Sequence, residues 1–113
     1  MAELGNLPRA LEAFTRAVAQ REGAHFRSAI LFGSHARGDA GTDSDVDVAV
    51  VLDGRPGDVL DAVLDLSAVA YDILLDTGVL IQPLPVRSDE WEHPERHSNP
   101  RLLANIRQEG RVL

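Results

Sequence analysis

The chain has 113 residues, 44% hydrophobic and 26% charged, which predicts one domain over residues 1–113 with a modest core. Its net charge of −7, from 18 acids and 11 bases, opposes binding to long nucleic acid, whose phosphates repel an acidic surface. Cysteine is absent and every base is arginine, which excludes disulfides, thiol catalysis, lysine Schiff bases and a P-loop lysine.

The opening MAELGNLPRALEAF does not read as a signal peptide, and no uncharged apolar run approaches the ~20 residues that span a bilayer. A cytoplasmic protein with no membrane contact is expected. Residues 7–22 read as a helix, with Pro8 in its first turn, Gly23 as its stop, and Leu7, Leu11, Phe14 and Val18 along one stripe. FRSAILF (26–32) is a strand running into Gly33, followed by a short helical turn from Ser34 to Arg37 and a loop, GDAGTDS. DVDVAVVL (45–52) is the second strand and DGRPG (53–57) a turn.

A long amphipathic helix is predicted over 58–76, ended by Gly78. Val59, Leu60, Val63, Leu66, Ala70, Ile73 and Leu74 form its apolar face, and Asp58, Asp61, Asp65, Asp72 and Asp76 stay outside. VLIQPLPV (79–86) is a third strand, which Pro83 and Pro85 assign to a sheet edge. SDEW (88–91) begins a short helix capped by Ser88, and a last helix over 99–110 starts with Asn99 as N-cap and Pro100 as first residue. This order predicts an α/β fold, a small mixed β-sheet with flanking helices.

Four acids crowd into nine residues at the start of the second strand: Asp39, Asp43, Asp45 and Asp47. Strand alternation points Asp45 and Asp47 to one face, ~6.6 Å apart along the chain. Alone, they would read as a solvated strand start, but Ala49 and Val51 continue the same face and argue for burial. Two carboxylates on one face can share a hard divalent cation, and Mg²⁺ is the usual occupant where phosphate is the other ligand. Gly33 lets an anion approach the backbone, and the Ser34 amide and hydroxyl can donate to phosphate oxygens; the plain alternative is an ordinary turn. Arg37 is either a triphosphate contact or an ion-pair partner of the Asp-rich loop. Gly38 reads as a turn residue, Asp39 and Asp43 as loop solvation and capping. His35 lies beside the Gly-Ser pair, but no proton-transfer role follows from that. His93 and His97 have metal-ligand spacing, which Pro94 and the lack of a third ligand oppose. Trp91 reads as packing or an interface residue rather than a base-stacking platform.

Gly33-Ser34, ten residues, then Asp45-x-Asp47 resembles the signature of the minimal nucleotidyltransferases of the DNA polymerase beta superfamily. LFGSHARGDAGTDSDVDVAVV is similar to that family almost residue for residue, and ANIRQEGRVL is similar to the tail of many such proteins. The resemblance implies a polymerase beta-like fold and transfer of a nucleoside monophosphate, AMP foremost, from ATP or another NTP with release of pyrophosphate. Gly33 and Ser34, with Arg37 beside them, would bind the triphosphate. Asp45 and Asp47 would be the catalytic pair, holding Mg²⁺ in a site open to a second ion.

The chain also departs from the family pattern. Active members usually carry a third carboxylate on a later strand, where this chain offers Gln82, an amide that cannot act as a general base at neutral pH. Either two carboxylates suffice, or an acid elsewhere or in a partner completes the site, or activity has been lost. The resemblance further implies a homo- or hetero-oligomer and a helical HEPN-domain protein as partner, in a toxin–antitoxin pair where this chain is the antitoxin. The expected reaction is AMP transfer to a hydroxyl of that partner. The alternative is a nucleotidyltransferase-like binding module that neutralises its partner by contact. Modification of a small cationic molecule such as an aminoglycoside is the weaker third reading.

Overall fold

The computed structural model describes residues 6–39, 45–54, 57 and 59–113. Helix α1 (Leu7–Glu22) forms over the predicted span, and its stripe Leu11, Phe14 and Val18 is buried. A short 3₁₀ turn, Gly23–His25, leads into strand β1 (Phe26–Phe32); one helical turn, α2 (Ser34–Arg37), follows Gly33. Strand β2 (Val46–Leu52), helix α3 (Val59–Thr77) and strand β3 (Ile81–Arg87) come next. The chain continues through α4 (Ser88–Glu92), a 3₁₀ turn at Pro94–Arg96, α5 (Pro100–Glu109) and strand β4 (Arg111–Val112). The fold is the expected mixed α/β arrangement: a four-stranded sheet in the order β3-β2-β1-β4 with helices packed around it.

β1 pairs antiparallel with both β2 and β4, while β2 and β3 run parallel. A parallel pair needs a long crossover, and α3 supplies it. β3 lies at the edge, where Pro83 and Pro85 leave no ladder bond unmade. One face of the sheet is dry along its length: Val46, Val48, Val50 and Leu52 of β2 pack with Ala29, Leu31 and Ile81 against α1 and α3. The other face carries a smaller core, in which Ile30, Ala49, Val51 and Val86 meet Leu103 and Ile106 of α5. Trp91 packs onto this core, and the Arg107 guanidinium lies 4.3 Å from its ring centre.

Several boundaries and contacts differ from the sequence expectation. Strand β4 has no periodic signature, being two residues long; it forms because Gly110 fits where a Cβ would collide with the Ile106 carbonyl and with Ile30. Ser88 opens α4 without capping it. The parallel register sets Leu52 opposite Arg87, which brings Ser88 beside Asp53, and the Ser88 hydroxyl donates to Asp53 Oδ1 at 2.9 Å. Asn99 does cap α5, with its Oδ1 accepting from the Leu102 amide at 3.2 Å. In α3 the buried face is Ala62, Leu66, Val69, Ala70, Ile73 and Thr77, while Val59 and Leu60 are exposed. The helix is apolar around more than half its circumference, so periodicity alone does not choose the face that meets the sheet. Asp43 and Asp58 lie outside the described residues. Among the described residues, no helix is long and apolar enough to cross a membrane.

Candidate active site

Three strands deliver their residues to one spot. Phe32 stands opposite Asp47 in the β1–β2 ladder, and Asp47 stands opposite Gln82 in the β2–β3 ladder. Gly33, next after Phe32, therefore turns directly over the Asp47 carboxylate. A Cβ at Gly33 would sit 2.5 Å from Asp47 Oδ2 and push that carboxylate aside, and the residue's φ of 77° itself favours glycine. Beyond it the chain winds tightly into α2, with the Ala36 and Arg37 amides both donating to the Gly33 carbonyl at 3.1 Å. Ser34 opens that turn and is half-buried.

Asp45 is exposed just before β2, and Asp47 is half-buried two residues on, at the mouth of the face that continues into buried Ala49 and Val51. Burial, and then repulsion from Asp45, push the Asp47 carboxyl above the ordinary aspartate range, despite the opposing pull of His35 and Arg37. Two acids held together with incomplete compensation form an arrangement that a divalent cation would relieve. Mg²⁺ is commonly held by one or two carboxylates, with phosphate oxygens and water completing its shell, so this donor set fits it. Among the described residues, no group of three or more His, Asp or Glu side chains is placed to hold a metal.

Gln82 occupies the position where the sequence reading looked for a third acid. It shares its face with Leu84, which joins the α5-side core, and its Nε2 donates to Asp45 Oδ2 at 3.2 Å. The amide thus touches the carboxylate pair without adding charge to it.

Arg37 forms the ion pair that was one of its two sequence alternatives: its Nε meets Asp39 Oδ2 at 3.2 Å. It also reaches Glu109 at the end of α5, Nη1 to Oε1 at 3.2 Å. Glu109 is the residue near this site that sequence reasoning missed, because nothing local in α5 marks a contact so distant in sequence. His93 pairs with Glu95 at 3.5 Å and His97 Nδ1 accepts from the Asn99 amide at 2.9 Å, so the two histidines serve local structure.

A family model described as "Nucleotidyltransferase domain" matches residues 11–108 of the chain. A "putative protein adenylyltransferase" of Methanocaldococcus jannaschii is 36% identical over 109 residues, covering 96% of this chain and 98% of that one. Among solved structures, that of a "putative nucleotidyltransferase" from Sulfolobus solfataricus matches with a TM-score of 0.58 at 15% identity, over 97% of this chain and 86% of that one. The last likeness speaks for the fold. The matched family model and the 36% identical relative place the chain in the nucleotidyltransferase domain family.

Proposed function

We propose that this nucleotidyltransferase transfers AMP from ATP to a hydroxyl of a partner protein, using Mg²⁺ held by Asp45 and Asp47. The observation that carries the proposal is the fit of Gly33 over the Asp47 carboxylate, where any side chain at 33 would intrude. A triphosphate lying along the Gly33-Ser34 backbone is then beside the carboxylates that would share its metal. Ser34 supplies hydroxyl and amide donors, and Arg37 can exchange its exposed pairs with Asp39 and Glu109 for phosphate, since such pairs are worth little in water. Bound Mg²⁺ would neutralise charge on the phosphates as the bond to pyrophosphate breaks.

In the transfer, the acceptor oxygen forms a bond to the α-phosphorus and pyrophosphate leaves with the electrons of the broken bond. The acceptor proton must go to a base other than residue 82, which is an amide. The name of the 36% identical relative supports a protein as the AMP acceptor. The sequence resemblance supports a HEPN-domain protein, with this chain as antitoxin of the pair. We further propose that residues 1–113 act as one domain, in the cytoplasm and in a complex with that partner.

The Gln82–Asp45 hydrogen bond favours a second reading, a binding module that keeps a disused site. The discriminating experiment is transfer of label from α-labelled ATP to a co-expressed HEPN partner, read with its mass. A weak enzyme gains activity on Gln82→Asp, and a fast one changes little. If neither protein labels the partner while the pair still co-purifies, the binding-module reading wins.

A further inference from the structure

α3 carries a second apolar face that no other described residue covers. Leu60, Leu64, Tyr71 and Leu75 are 61%, 60%, 59% and 69% exposed, each far above what core packing would leave. With 3.6 residues per turn they fall within a sector of ~60°, a stripe ~22 Å long. One border of the stripe runs through half-buried Val63 and Leu74 into the core. The other is acidic: Asp61, Asp65, Asp72 and Asp76 line it, and α3 contains no base. Arg21 and Arg9 of α1 answer Asp65 and Asp76 at 3.0 and 3.1 Å, from the side away from the stripe.

We propose that this face docks a helix from a different protein, one whose own apolar stripe is flanked by arginine or lysine. Charge decides the occupant. In a two-fold antiparallel pair of α3 helices, the acidic borders of both copies fall on the same side, and each chain already carries −7. A strand cannot extend the adjacent sheet edge as a regular ladder, because Pro83 and Pro85 interrupt the donors of β3. A basic amphipathic helix of ~15 residues matches both the length and the rim of the stripe.

The position suits the chemistry as well. α3 ends where exposed Leu80 leads into β3, and Val46, beside Asp45, pairs with Ile81. A helix seated on the stripe therefore has one end at the sheet edge that presents Gln82 and Asp45. The inference builds on the reading that the acceptor is a protein and gives that protein a place to hold, on residues separate from the nucleotide site.

The test uses two synthetic peptides of ~15 residues, each with a leucine stripe, one flanked by arginine and the other by glutamate. Binding to the ¹⁵N-labelled chain is followed by amide shifts and by anisotropy. The arginine peptide should shift α3 resonances. Leu64→Asp/Leu75→Asp should weaken it at least ~10-fold with an unchanged melting curve, since both residues are exposed. Asp61→Asn/Asp72→Asn should weaken it less and flatten its salt dependence. Asp45→Asn/Asp47→Asn should leave it unchanged, which separates failure here from failure of the nucleotide site. Equal binding of the glutamate peptide, or shifts centred away from α3, overturns the proposal. So does a dimer of the chain alone, in sedimentation, that Leu64→Asp dissolves, for then a second copy is the occupant.

Discussion

The two ends of β2 hold aspartates in opposite electrostatic condition. Asp53, just past its end, receives hydrogen bonds from the Ser88 hydroxyl and from Arg27, at 2.9 and 3.1 Å, and these lower its carboxyl below the ordinary range. Asp47, near its start, is raised by burial and by Asp45. The same residue type is satisfied at the end of β2 where it ties elements together and left short of compensation at the end that faces Gly33 and Asp45. Perturbed carboxylates of the second kind mark sites of chemistry more often than of structure.

The difference has opposite signs with pH. A lowered carboxyl such as Asp53 adds stability above its unfolded pKa and loses it as pH falls through its lower folded value. A raised one such as Asp47 costs stability at neutral pH, and that cost disappears as pH falls through its higher folded value. A proton competes with a cation for the Asp47 carboxylate, so cation binding there should weaken as pH falls into the raised range of this carboxyl, which lies above that of Asp53.

Breaking the comparison at Asp47 should have the largest effect. Asp47→Asn is expected to lower nucleotidyl transfer by ~10³-fold or more, the several kcal/mol that a metal ligand can supply. It should also abolish the rise in melting temperature caused by Mg²⁺ with ATP, while the ligand-free protein melts at the same temperature or higher. A ligand-free protein that melts lower would show that Asp47 is structural after all.

Next comes the dry face of the sheet, which supports both ends of β2. Phe14 is fully buried there, and Phe14→Ala should cost ~3–5 kcal/mol in urea unfolding. Ser34→Ala should weaken triphosphate binding by ~1–3 kcal/mol in calorimetry, with unfolding little changed. The smallest effect belongs to Asp53→Asn: a modest fall in melting temperature at neutral pH that narrows at low pH, with transfer unaffected. Loss of transfer in Asp53→Asn would erase the distinction between the two aspartates.

Much of the sheet was legible because strong local signals agreed. Gly33, the Val-rich run after Asp45, Gly78 and the Asn99-Pro100 pair each mark a boundary with a physical reason. The Gly33–Asp47 juxtaposition follows once the two strands are paired, because the register puts Phe32 opposite Asp47. What was not legible came from tertiary contacts. Ser88 turns to Asp53 instead of to its own helix, and Glu109 reaches Arg37 from α5. The buried face of α3 was misread at Leu60 because the helix offers two apolar sectors, and only the sheet selects between them; Val59 lies on the core side but is exposed as the first residue of the helix.

Gln82 stands on an edge strand, exposed, in a position that supports none of the core. Its side chain can therefore change between amide and carboxylate with little effect on folding, while altering the charge beside Asp45. A lineage could gain or lose catalytic strength at this single codon without first acquiring stabilising substitutions. Under the proposed reading, selection could thus act on activity and on binding almost independently.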